Sequence, residues 1–405
     1  MTSARIGLPF LAAVTCWVAC GGGSGETTSG LGGSASSSES ASATTSTTAS
    51  SSVVSSSSSS GGVQNPPAWL AGHPVGEWFE IPGTAGANGA AVDAFSGMAL
   101  KDSTSEIIIA AAGGHGDSSD NSVVSLVLAA DAPVWVTRKA SSMSPQQNVP
   151  YYPDGTPASR HTYQSTHVIE SLDRVFLFGA RFVYGAAYEF PTVDAFNLTT
   201  NEWDPEGTWA SVPSGGGYGA VRVRATEDVF TYGLRKWTAK DQTWSQPFTT
   251  LTNDSVRWPI AHDAKRDQLF ALQWGDGQGY DAPKVNASRF PLSGAAQISV
   301  KIGDSAAYTQ FQADAPTYAA MDYDPDNDRF LFYCGQGAGA GRVYVVTPNA
   351  TDTWDMSILA LGPGSITPAE VPGSGVNNRF RYVPALKGFV LLANHTANLY
   401  FLRTS

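Results

Sequence analysis

Histidine, tyrosine and arginine recur together in short polar segments of this chain, a combination suited to moving a proton beside a carboxylate. Removing a proton from the carbon next to a carboxylate needs a base, an acid for the leaving oxygen, and a cation to neutralise the carboxylate. His115 and His161 are the candidate bases, Tyr184 and Tyr218 the candidate acids, and Arg160 and Arg181 the candidate cations. A wider set could hold a ligand without any chemistry. Arginines pair with carboxylate or sulfate through bidentate hydrogen bonds, and aromatic faces stack on apolar ring surfaces. Arg160, Arg181, Arg257, Arg379, Trp258, Trp274 and Tyr280 are the members of that set. Each also has a structural reading: Gly113-Gly114-His115 as a backbone turn, and Arg160-His161 as a bond between neighbouring units.

A repeat must position these residues. Between Phe95 and the C-terminus, an acidic turn followed by an apolar, strand-type run recurs about six times. The runs are Glu106–Ala110, Asp173–Gly179, Glu227–Gly233, Asp267–Leu272, Asp328–Tyr333 and Lys387–Leu392. Helical periodicity is nearly absent from residue 66 onward, and Gly, Pro, Asp and Asn punctuate the strands, so many short antiparallel strands are expected. Spacings of roughly 40 to 67 residues suit four-stranded units labelled a to d, with the runs above as strand b. The last unit lacks a fourth strand, and Glu77–Pro82 near the start is an orphan strand suited to completing it and covering its edge.

The chain resembles the kelch and galactose-oxidase-like β-propellers. The resemblance is carried by Gly113-Gly114, by Val123–Leu128 and by Trp135. The second repeat carries it in Ser159–Tyr163, Phe178-Gly179, Phe196–Leu198 and Trp203. It covers residues 94–210 well, while later repeats keep only the strand spacing. It implies an all-β propeller of about six four-stranded blades, seven being the alternative count, closed by the N-terminal strand. In such a fold the b–c and d–a loops share the ligand face, and these loops hold the histidines, arginines and aromatics named above. Trp135, Trp203 and Trp354 fall at d-strand starts and are expected to be core. The Asp-rich segment Asp322–Asp328 lacks the ligand spacing of an EF-hand and is expected to be a hairpin turn.

The N-terminus reads as an address. Arg5 and the apolar Ile6–Val14 form a secretory signal, too short to span a membrane. Trp17-Val18-Ala19-Cys20 resembles a bacterial lipobox, with Cys20 as the acylated anchor, although Trp17 stands where the pattern prefers Leu. Residues 21–64 are almost all Ser, Thr, Gly and Ala, a flexible tether, and 65–405 are the folded domain. Gly21-Gly22 after the cysteine favours the outer membrane or cell surface. Of three cysteines only Cys334 remains in the domain, so a disulfide framework is not expected. A net charge of −11 argues against nucleic acid as a partner.

The galactose-oxidase copper site needs two tyrosines, two histidines and a cysteine cross-link. Cys334 has no matching tyrosine motif, so copper oxidation is not expected. Sialidase turns of the type Ser-x-Asp-x-Gly-x-x-Trp are not found. No metal or cofactor is called for, and a monomer is expected. Two readings remain, and whether the chain is an enzyme is left open between them. One is a tethered module binding an extracellular glycan, an acidic one given the arginines. The other is a polysaccharide lyase, since several propeller-fold lyases use His and Tyr with Arg on a uronate; here His115, His161, Tyr184 and Tyr218 would do the chemistry.

Overall fold

The computed structural model describes residues 66–405, apart from 187–188, 214–218, 249–258, 275–284, 295 and 315–317. The signal, Cys20 and the tether lie outside the described residues, as do Tyr218, Arg257, Trp258 and Tyr280. The described chain is mostly strand, in antiparallel four-stranded meanders. The first runs through Ala99–Lys101, Glu106–Ala110, Val123–Val127 and Val136–Lys139. The second has Thr166–Ile169, Arg174–Val183, Glu189–Asn197 and Glu202–Trp203. The third has Val221–Arg222, Val229–Phe230, Lys236–Thr238 and Thr243–Ser245. The fourth (Ile260–Asp263, Gln268–Trp274, Val285–Pro291, Ile298–Ile302) joins the fifth (Ala320–Asp324, Arg329–Tyr333, Val343–Thr347, Thr353–Ile358) through a short parallel pairing of Lys301-Ile302 with Thr353-Trp354. The sixth contains Phe380–Val383, Gly388–Leu391 and Leu399–Arg403, and Trp78–Ile81 adds as its fourth strand. The expected pairing of the two chain ends is therefore present, with Trp78 opposite Leu402 and Ile81 opposite Leu399.

The second strand of each meander reads as a continuous apolar run because both its faces are buried. Side chains alternate across a strand. Ile107 and Ile109 enter a core shared with the sixth meander, while Ile108 and Ala110 enter one shared with the second. Phe176 and Phe178 face the third meander, and Val175 and Leu177 the first. Further cores lie between the third and fourth, fourth and fifth, and fifth and sixth meanders. Trp354 is buried, and Trp135 and Trp203 pack partly buried against these cores.

The acidic turns have a backbone cause. A left-handed residue stands one or two positions before each second strand: Ser105, Asp173, Glu227, Asp267, Asp328 and Lys387, with φ from 48° to 60°. Asp tolerates this conformation better than most residues. The turns also tie neighbouring meanders together. Lys101 pairs with Asp173, Lys265 and Arg266 pair with Asp328, and the Tyr382 hydroxyl donates to Asp326. Asp322–Asp328 thus spans a hairpin whose carboxylates hold cations and amides of the protein itself.

Three details depart from the expected strands. The first strand of the second meander, read from the repeat as one continuous strand from His161 to Ile169, is split: Arg160-His161 pairs separately and Thr162–Ser165 turns between. Its second strand runs on to Val183 through a register shift between Phe178 and Ala180, so Arg181 sits in a strand and not in a loop. A helix, Ala306–Asp314, lies between the fourth and fifth meanders. Ser305 Oγ accepts from the Tyr308 amide at its start, and Phe311 is its buried residue.

Candidate functional site

Two glycines bring the first and second meanders together at the site. Gly113 and Gly114 have φ of 112° and 87°. A Cβ on Gly114 would come within 2.6 Å of the Arg160 Cα, so only glycine permits this approach. The His115 amide then donates to the Phe182 carbonyl at 2.8 Å, and the Arg160 amide to Ala111 at 2.9 Å. The Tyr163 amide donates to Phe95 at 2.8 Å, which stitches in the segment before the first meander.

His161 is the hub. Its Nε2 lies 2.8 Å from Asp117 Oδ2 and its Nδ1 lies 3.2 Å from the Tyr163 hydroxyl. A carboxylate only accepts, so the proton of the neutral ring is on Nε2 and Nδ1 accepts from Tyr163. Burial drives the His161 pKa down to about 4, although the Asp117 hydrogen bond and charge oppose this. The imidazole is therefore neutral near pH 7. Rings of Phe95, His115, Tyr163 and Phe182 surround it, with centroids 4.7, 5.9, 5.6 and 5.3 Å away, and Tyr318 stands edge-on to Phe95 at 5.1 Å. His115 and Asp117 are exposed, while Phe95, Phe182 and Tyr318 are half-buried.

These ring-bearing residues share a backbone anomaly. Phe95, His115, Tyr163, Phe182 and Tyr318 all have positive φ, between 42° and 51°. Left-handed backbone costs a non-glycine residue roughly 1–2 kcal/mol, and bulky residues adopt it only where the surroundings demand it. Such strain concentrates at functional sites. Arg181 borders the cup opposite His161 in the strand register, its guanidinium 5.1 Å from the Phe182 ring centre and paired with Glu189 at 2.5 Å.

Other expected site residues lie elsewhere. Arg160 is fully buried, with Nη1 2.7 Å from Asp194 and Nε donating to the Ala158 carbonyl, so it cannot meet a ligand at the surface. Arg379 is fully buried too. Its guanidinium donates to the carbonyls of Val92, Gly375 and Ala393 and to Ser96, and burial lowers its pKa to about 10. It clamps the sixth meander to the segment before the first. Both arginines are 0% exposed, so neither can meet a ligand at the surface. Tyr184 is half-buried beside the cup, its amide donating to Ser159 and its carbonyl accepting from Asn148. Trp274 ends the second strand of the fourth meander.

Asp117, Phe95, Tyr163, Phe182 and Tyr318 join the candidate site from the structure alone. A sequence signal existed for three of them. An aromatic stands two to four residues before the first strand of a meander at Phe95, Tyr163 and Tyr318. Among the described residues, no group of three or more His, Cys, Asp or Glu side chains could hold a metal ion, and no helix is long and apolar enough to cross a membrane. No protein-family model matches the chain, and no curated protein matches it.

Proposed function

We propose that this chain is a six-bladed, kelch-like β-propeller that binds an acidic glycan in the cup around His161, tethered outside the cytoplasm through Cys20 and residues 21–64. The blade count is supported by the cyclic order of the cores, since each meander shares one with the next and the sixth shares one with the first. The binding reading rests on one observation: aromatic rings held in left-handed backbone gather around His161 beside Arg181. Half-buried rings offer apolar faces to a sugar, and Arg181 offers a cation at their edge. The test is retention of the full chain on an immobilised uronate polymer, against a neutral glucan. Retention on the uronate polymer alone, lost in Phe182→Ala, supports the reading; equal passage through both columns refutes it.

The hydrogen-bonded chain Asp117–His161–Tyr163 favours a second reading, β-elimination on the same polymer. A base takes the C5 proton, the C4–O bond breaks, and an acid returns a proton to the leaving oxygen, which leaves a C4–C5 double bond. Tyr163, hydrogen-bonded to a neutral imidazole, suits one of these proton transfers, and exposed His115 suits the other. Ultraviolet absorbance of the unsaturated product distinguishes a lyase from a binder.

A further inference from the structure

Asp117 does more at the cup than hold His161. Its side chain is 45% exposed, against 5% for His161, so one oxygen meets the imidazole while the carboxylate stands in solvent at the rim. The loop that carries it is pinned. The Gly114 amide donates to the Ser118 carbonyl at 2.8 Å, and the Asp117 amide donates back to Gly114 at 2.9 Å. The Ser118 carbonyl also accepts from Ser159 Oγ at 2.6 Å, and the Ser119 carbonyl from the Tyr152 hydroxyl at 2.8 Å. A loop bonded in this way to the segment before the second meander keeps Asp117 at the rim.

Charge around the cup is uneven. Arg181 and Glu189 pair at 2.5 Å, and Arg160 and Asp194 pair at 2.7 Å, so each couple is neutral as a unit. Asp117 instead faces the neutral imidazole of His161, and no cation cancels its charge there. Asp117 and Arg181 act on the proton affinity of His161 with opposite sign, so both charges reach the same ring.

This inference rests on the reading of the cup as an acidic-glycan site. We propose that Asp117 restricts the cup to glycans whose carboxylates are spaced apart, with an uncharged sugar on either side of each uronate. The carboxylate of the sugar seated over the rings meets Arg181. In a polymer of uronate alone, each neighbouring sugar brings a further carboxylate. That group meets the exposed charge of Asp117 and no second lysine or arginine among the described residues of the cup. Setting like charge against a partner is a direct physical means of rejecting it. A polymer that alternates uronate with an N-acetylated amino sugar escapes the repulsion. Asparagine at 117 separates charge from position, because its side-chain oxygen still accepts from His161 Nε2.

The test compares the affinity of the full chain, at pH 7, for hyaluronan and for polygalacturonate. Uronate alternates with an amino sugar in the first, and every sugar is a uronate in the second. The parent is expected to bind hyaluronan about tenfold or more tightly per uronate. Asp117→Asn should keep hyaluronan binding and strengthen polygalacturonate binding, bringing the two within about threefold of each other. Asp120→Asn removes the same charge from the same loop, where Asp120 accepts from the Ser122 amide, and should leave the parental ratio unchanged. A preference set only by sugar identity would not respond to either change. Equal or reversed parental affinities, an unchanged ratio in Asp117→Asn, a narrowing that comes from lost hyaluronan binding, or the same narrowing in Asp120→Asn would overturn the inference and leave the reading of the cup standing. Parental binding to neither polymer would overturn that reading and the inference with it.

Discussion

Asp117 Oδ2 meets His161 Nε2 at 2.8 Å, and this contact fixes the ring so that its opposite nitrogen accepts from Tyr163. It joins an exposed loop of the first meander to a buried residue of the second. Asp117→Asn removes a charge that raises the His161 pKa, so the His161 titration should move to still lower pH. Histidine ring resonances followed by NMR over an acid titration check this; a shift to higher pH would contradict it.

The same histidine makes stability depend on pH. Its folded pKa of about 4 lies below the 6.5 of an unhindered histidine, so the unfolded chain binds the extra proton between those values. Stability is then full above pH 6.5 and is lost as the pH falls towards 4, by about 3 kcal/mol from this group. His161→Phe should lose that part of the acid dependence, while the buried His167 retains its own. Urea unfolding at pH 7 and pH 4 measures the difference.

Arg160 and Asp194 form a buried pair at 2.7 Å, and Asp194 also accepts from the hydroxyls of Tyr151 and Thr192. Removing one partner strands the other. Arg160→Ala should destabilise the fold by about 3–5 kcal/mol. The protein that remains folded should keep its retention on a uronate polymer, because Arg160 does not reach the surface. Denaturant midpoints and column retention together separate the two effects.

Phe182 separates strain from contact. Phe182→Ala and Phe182→Gly both delete the ring, but only glycine relaxes a φ of 49°. The glycine variant should be the more stable by about 1 kcal/mol, with the same loss of glycan retention in both. Equal stability would mean that the backbone carries no strain there.

Trp78 is fully buried in the strand that joins the chain ends, packed near Tyr333 and Phe380. Trp78→Ala should cost about 3–5 kcal/mol and lower the thermal midpoint of the whole described domain. A variant that melts like the parent would mean that the N-terminal strand is dispensable.

Much of the scaffold was legible because burial on both faces writes itself into the sequence as runs such as Arg329–Tyr333, and because left-handed turn positions such as Asp173 and Asp328 attract aspartate. The pairing of Trp78–Ile81 was legible because the last repeat lacked a strand. The helix over Ala306–Asp314 was missed: it buries one side chain, too little to mark a face. His115 and His161 stood out by residue type and the structure brings their rings within 5.9 Å, while Arg181, expected in a loop, lies in a strand. Arg160 and Arg379 were misread because an arginine in a loop looks the same whether its partner is a ligand or a buried carbonyl. Asp117 and Tyr163 escaped because their roles depend on Gly113 and Gly114 bringing two meanders into contact.

The most direct test is the retention of the full chain on an immobilised uronate polymer, measured for the parent and for Arg181→Ala. Retention of the parent, eluted by soluble uronate oligomers and much reduced in Arg181→Ala, is the expected result. Passage of the parent with no retention, and with no unsaturated product in the eluate, would contradict the assignment of the cup around His161 as an acidic-glycan site.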